Sequence, residues 1–169
     1  VHIMFMKSDG SVKSIVEIND STENGPTLTN SDLFGHSVEN LGDLDGDGVN
    51  DLAVGAVNDD EGEGNNRGAV HIIFMKSDGS VKSAEEIDES TTNGPTLSNN
   101  DKFGTSIANI GDLDGDGVND LAVGAPFDDM DSAGDPAGAT NRGAVHIMFM
   151  KSDGSVKSIV EINDSTENG

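Results

Sequence analysis

The sequence predicts an all-β protein built from tandem units of four strands each, and three observations carry that prediction. A 14-residue string, VHIMFMKSDGSVKS with one Met-to-Ile change in its middle copy, begins at Val1, Val70 and Val145. Periods of 69 and 75 residues mark a repeat architecture whose units cannot bury their apolar faces alone. The apolar segments are short, rich in Val, Ile and Phe, and bounded by Gly, Asn and Asp, as strands are. No segment carries a helical period, so helix content should be near zero.

The strands read in order within each unit. Residues Leu33–Leu41 and Lys102–Ile110 form a first strand that runs into an acidic loop. Leu52–Ala56 and Leu121–Ala125, short, apolar and ended by small residues, form a second. Gly68–Met75 and Gly143–Met150 form a third, where Val, Ile and Phe alternate with His, Ile or Met. Lys76–Ser80 is a tight turn, because Asp78-Gly79 supplies the positive φ that a hairpin needs. Val81–Ile87 and Val156–Ile162 form the fourth strand, and Asn-Gly-Pro at Asn24 and Asn93 punctuates the link to the next unit. The chain therefore divides into a half unit and linker (1–27), a full unit (28–96), and a full unit with the start of a further linker (97–169). The third strand is apolar on both faces (Val70, Ile72, Phe74 and Ile73, Met75), which demands sheets stacked on both sides.

The chemistry concentrates in one repeated loop. DLDGDGVNDLAVGA occurs at Asp43–Ala56 and at Asp112–Ala125. Each copy places aspartates at positions one, three, five and nine: Asp43, Asp45, Asp47, Asp51 and Asp112, Asp114, Asp116, Asp120. Four carboxylates so close repel one another unless a cation sits among them, and hard oxygen donors in a flexible loop select calcium. Gly48 and Gly117 permit the sharp turn round an ion, and Val49 and Val118 can offer only their backbone carbonyls. An EF-hand is excluded: its twelfth-position glutamate is replaced by Val54 or Val123, and a strand follows where a helix is required. The expectation is two Ca2+ ions per chain.

The flanks add a resemblance. Phe34-Gly35 and Phe103-Gly104 precede the loops, while Gly55-Ala56-Val57 and Gly124-Ala125-Pro126 follow them. Phe-Gly, a DxDxDGxxD loop, then Gly-Ala-Pro is similar to the FG-GAP repeat of integrin alpha-subunit propellers. The second copy matches throughout and the first has Val57 in place of proline. The resemblance implies propeller-type antiparallel blades, with calcium held in the hairpin between a blade's first two strands and the eight aspartates as its ligands. Two and a half blades cannot close a ring, which takes four to eight. Further repeats or further copies are expected to complete a closed ring or an open stack.

Composition limits the partners. A formal charge of −23 argues against nucleic acid or an anionic membrane surface as partner. No apolar run reaches the roughly 18 residues of a membrane helix, and cysteine is absent. Val1–Gly25 and Val145–Gly169 are identical, and the simplest reading is a window from a longer chain with a 144-residue super-repeat. A chain carrying an overlapping half unit for closure is the competing reading.

Other residues read as structural. His2, His71 and His146 follow the repeat and suggest packing, and His36 stands alone. Arg67 and Arg142 are expected to pair with the neighbouring acidic loops, and the loops Asn58–Glu63 and Asp128–Asp135 to be solvated. No nucleophile elbow or Walker-type loop is present, so an enzyme is not expected. The function expected is a calcium-binding structural or adhesive module of an extracellular fibre, sheath or cell-surface protein, assembling head to tail with copies of itself. The alternative is an integrin-alpha-like propeller whose loops bind a protein or glycan ligand.

Overall fold

The computed structural model describes residues 1–60, 65–128, 141–164 and 166. Ten strands make three antiparallel sheets, with no helix among the described residues. A hairpin of β1 (His2–Met6) and β2 (Val12–Glu17) comes first. A sheet of β3 (Phe34–Gly42), β4 (Asp51–Ala56), β5 (Ala69–Met75) and β6 (Val81–Ile87) follows, its strands adjacent in chain order. The last sheet repeats this with β7 (Ser106–Gly111), β8 (Asp120–Ala125), β9 (Ala144–Met150) and β10 (Val156–Ile162). These are open four-stranded antiparallel sheets of the propeller-blade kind.

The sheets stack face to face, which explains a third strand with two apolar faces. Val70, Ile72 and Phe74 on one face of β5 join Leu121, Val123, Met148 and Met150 of the last sheet in one core. Ile73 and Met75 on the other face pack with Val54, Val81, Val1 and Ile3, closing the gap to the first hairpin. All seven residues of β5 are consequently buried.

Two glycines make the sheet-to-sheet approach possible. A Cβ on Gly104, which has φ +84°, would stand 2.6 Å from the Ala69 carbonyl oxygen, and a Cβ on Gly55 would overlap the Gly104 carbonyl oxygen. Ser37 Oγ donates to that same Gly104 oxygen at 2.7 Å, and Asn119 Nδ2 donates to Leu41 O at 2.9 Å. The Phe-Gly of one unit thus lies against the Gly-Ala of the preceding one.

The turns follow the sequence reading. Lys76 N donates to Ser80 O at 2.8 Å, Gly79 has φ +85°, and Asp78 Oδ1 accepts from Ser80 N and Oγ. One strand start differs from expectation. Lys102 (φ +60°) and Gly104 (φ +84°) are left-handed and Thr105 N donates to Lys102 O, so residues 102–105 form a turn and β7 begins only at Ser106.

Candidate metal centres

Each acidic loop spans the hairpin between the first two strands of its sheet, Gly42 to Asp51 and Gly111 to Asp120. Its curl is set by left-handed glycines: Gly46 and Gly48 have φ +78° and +89°, and Gly115 and Gly117 have φ +80° and +91°. The first aspartate holds the curl, because Asp43 accepts from Asp47 N at 2.8 Å and from Gly48 N at 2.9 Å. Asp112 does the same for Gly115, Asp116 and Gly117.

Oxygens of Asp43, Asp45 and Asp51 lie within 4.8 Å of one another, as do those of Asp112, Asp114 and Asp120. Calcium–oxygen bonds of about 2.3–2.6 Å place opposite ligands about 5 Å apart, so this oxygen-only donor set fits a calcium shell. Asp47 and Asp116 are outside those groups. Val49 and Val118 are half-buried in the loop, and their N–H groups donate to Asp47 Oδ1 and Asp116 Oδ1, each at 3.0 Å.

A cation already lies on these carboxylates. Lys82 Nζ sits 2.6 Å from Asp45 Oδ2 and 2.5 Å from Asp47 Oδ2, and Lys157 Nζ is 2.6 Å from both Asp114 and Asp116. Those paired carboxylates hold both ammonium groups well above the ordinary lysine range. In return the Lys82 hydrogen bond, helped by Val49 N–H, holds Asp47 below the usual carboxylate range, and Lys157 with Val118 N–H does so for Asp116. Sequence reading missed these lysines. The available signal was a lysine at the second position of every fourth strand: Lys13, Lys82 and Lys157.

The ninth-position aspartates have a second role. Asp51 is fully buried, and it accepts from Leu44 N (Oδ2, 2.9 Å) and from Met75 N on β5 (Oδ1, 2.9 Å). Asp120 repeats this with Leu113 N and Met150 N. Burial pushes the Asp51 carboxyl up, against the pull of the two N–H groups. Each carboxylate oxygen has a further lone pair for an ion. Asp51 therefore ties the acidic loop to the third strand as well as facing the other aspartates.

His71 and His146 pack as expected, but in a more elaborate setting, whereas His2, their equivalent in the first hairpin, is exposed. His71 and His146 are each 1% exposed, with Nε2 3.3 Å from Asp59 Oδ2 and 3.1 Å from Asp128 Oδ2. Phe34 and Phe103 meet these rings in a T-shaped arrangement at 5.4 and 5.3 Å between centroids. His36 is exposed. Asp59 and Asp128 are buried rather than solvated, which corrects the expectation for those residues, because a buried imidazole draws each carboxylate inward. Residues 61–64 and 129–135 of the same loops lie outside the described residues. Arg67 also differs from expectation: Nη1 pairs with Glu89 Oε1 at 2.6 Å, in the turn after the fourth strand, and Arg142 pairs with Asp164 at the equivalent place.

The FG-GAP repeat family matches residues 34–73 and 103–148, just over half of the chain and one stretch in each full unit. The chain belongs to the FG-GAP repeat family. It is similar to integrin alpha-4 of Xenopus laevis, 37% identical over 106 residues that cover 60% of this chain and 10% of that protein. Mouse (Mus musculus) integrin alpha-3 is 41% identical over 97 residues, 57% of this chain and 8% of its own length. Integrin alpha-5 of Xenopus laevis is 36% identical over 129 residues, 74% of this chain and 11% of its own length. The chain thus spans about a tenth of the length of these FG-GAP relatives. Both matched stretches of the chain contain the Phe-Gly, the acidic loop and the second strand, the parts that build the candidate centres.

Proposed function

We propose that this chain is a calcium-stiffened structural or adhesive module of an extracellular fibre, sheath or cell-surface protein, whose FG-GAP units stack head to tail. Calcium is bound once per full unit. Its ligands are Asp43, Asp45, Asp47, Asp51 and the Val49 carbonyl in the first loop, and Asp112, Asp114, Asp116, Asp120 and the Val118 carbonyl in the second. The observation that supports this most is the duplicated oxygen-only cluster in a preformed loop. Calcium neutralises carboxylates that Lys82 and Lys157 only partly offset. The module acts by binding and packing, not by catalysis.

The terminal sheets support the stacking. Inside the chain, Ile73 (0% exposed) and Met75 (4%) lie beneath the preceding hairpin, while their repeat equivalents Met4 and Met6 are 56% and 54% exposed. Buried Val70 and Ile87 likewise correspond to exposed Val145 and Ile162 in the last sheet. The two terminal faces are therefore the two halves of the interface already formed between the internal sheets, and such a heterologous contact propagates or closes a ring. A covalently linked further repeat or a second copy serves equally. The relatives favour a second reading, an integrin-alpha-like propeller that binds a protein or glycan through its loops. Light scattering of the chain in millimolar calcium and in chelator tests the assembly: concentration-dependent association in calcium supports it, and a monomer at micromolar concentration in both overturns it.

A further inference from the structure

We propose that each full unit carries a second metal site, for a divalent transition ion of the zinc class, at the end of the blade away from the acidic loop. One site is Asp59, His71 and Glu86; the other is Asp128, His146 and Glu161. In each, one imidazole nitrogen and two carboxylate oxygens lie within 4.8 Å of one another.

The register explains how these residues meet. His71 on β5 pairs directly with Glu86 on β6, and His146 on β9 with Glu161 on β10. Asp59 arrives from the loop three residues past the end of β4, where its N–H caps Ala56 O and its own carbonyl accepts from Gly68 N. Three chain segments thus converge on one imidazole. His71 lies opposite Val54 on β4, three residues from Asp51 at the end of the acidic loop, so about 10 Å of strand separates the two sites.

The donor chemistry is the reason for a transition ion. The acidic loop offers oxygen alone, whereas this cluster adds a neutral-nitrogen ligand, which suits zinc and its neighbours over calcium. Zinc bonds of about 2.0–2.1 Å to nitrogen and oxygen, set tetrahedrally, leave neighbouring ligand atoms about 3.3 Å apart. Nε2 to Oδ2 is 3.3 Å at His71 and 3.1 Å at His146. His71 and Asp59 are buried, and the T-shaped contact with Phe34 restrains the imidazole, as apolar neighbours hold metal ligands in place. A divalent ion with two carboxylates and a neutral imidazole makes a neutral site.

The second unit supplies an independent observation. Its loop between second and third strands is six residues longer, yet Asp128 returns to His146 as Asp59 does to His71. Loop length varied while this triad stayed in place.

The test uses Co2+ as the probe, titrated into the calcium-saturated chain so that the acidic loops are already filled, and displaced afterwards with Zn2+. Two cobalt ions per chain are expected, with the intense visible ligand-field bands of a low-coordinate site. His71→Gln and His146→Gln should each remove one ion. Because a buried histidine variant can fail to fold, Glu86→Gln and Glu161→Gln at the half-buried third ligand provide a second reading, with affinity expected to fall at least tenfold at the altered site. The proposal is overturned if no cobalt binds in excess calcium. It is equally overturned if binding persists unchanged in the glutamine variants, which would place the ion on exposed His2, His36 or the acidic surface. Calcium stoichiometry is measured with cobalt and zinc absent, so either site can fail without the other.

Discussion

Replacing Asp51 with alanine is expected to destabilise this protein even where no calcium is available. The side chain is fully buried, and its two oxygens accept the N–H groups of Leu44 and Met75, both at 2.9 Å and both in buried residues. Alanine leaves both donors without an acceptor, at about 1–3 kcal/mol each. Relief of the burial penalty that raises the Asp51 carboxyl opposes this loss, so the net effect should fall at about 2–4 kcal/mol. Against a total stability of about 5–15 kcal/mol that is large, and at about 2–4 °C per kcal/mol it lowers Tm by roughly 5–15 °C. The control is Asp45→Ala, whose carboxylate meets the Lys82 ammonium and the Asp47 N–H at the surface and should matter little without calcium. Urea unfolding of both variants in chelator separates the roles. Equal losses for the two, or no loss for Asp51→Ala, would refute the assignment of Asp51 as a tie between loop and third strand.

Three other substitutions probe the same framework. Gly55→Ala should cost about 1–3 kcal/mol or more, since its Cβ runs into the backbone of the next unit at Gly104, whereas Gly124→Ala meets only the Ser106 hydroxyl and should cost less in the same thermal melt. Lys82→Met should tighten calcium at the first loop and leave the second unchanged by calorimetry, because the ammonium competes with the ion for Asp45 and Asp47. Asp78 is held below the usual carboxylate range by the Ser80 hydroxyl and then the Ser80 N–H, so NMR titration should show its pKa rise in Ser80→Ala. A depressed folded-state pKa stabilises above the unfolded value and that contribution is lost as pH falls through the folded one, so Ser80→Ala should flatten the acid limb of stability.

Most of the fold was legible because its signals are local. Alternation, Asp-Gly turns and the repeat placed the second and fourth strands of both full units to within a residue, and the two-faced third strand required the stacking that Val70 and Ile73 display on opposite sides of β5. The start of β7 was not legible, since nothing in a run of apolar and polar residues reveals that Lys102 takes a left-handed φ. The aspartate spacing gave the loop, but not the division of labour within it. Asp51 works through an N–H on β5, 24 residues away, and Lys82 reaches Asp45 across 37 residues of sequence. Asp59 looked like one more acid in a solvated loop, because only the folded register brings His71 beneath it.

We propose the two acidic loops as independent calcium sites, each stiffening its own blade. Calorimetric titration of the chelator-stripped chain with calcium, alongside thermal melts at each step, tests it most directly. Two equivalents are expected, each tied to one loop by Asp45→Ala or Asp114→Ala, with Tm rising as the sites fill; a 10⁻⁴ M site, within the range of extracellular modules, adds about 2.7 kcal/mol at a hundredfold excess of calcium. A chain that takes up no calcium, or whose melt is the same in excess chelator as in calcium, contradicts the account.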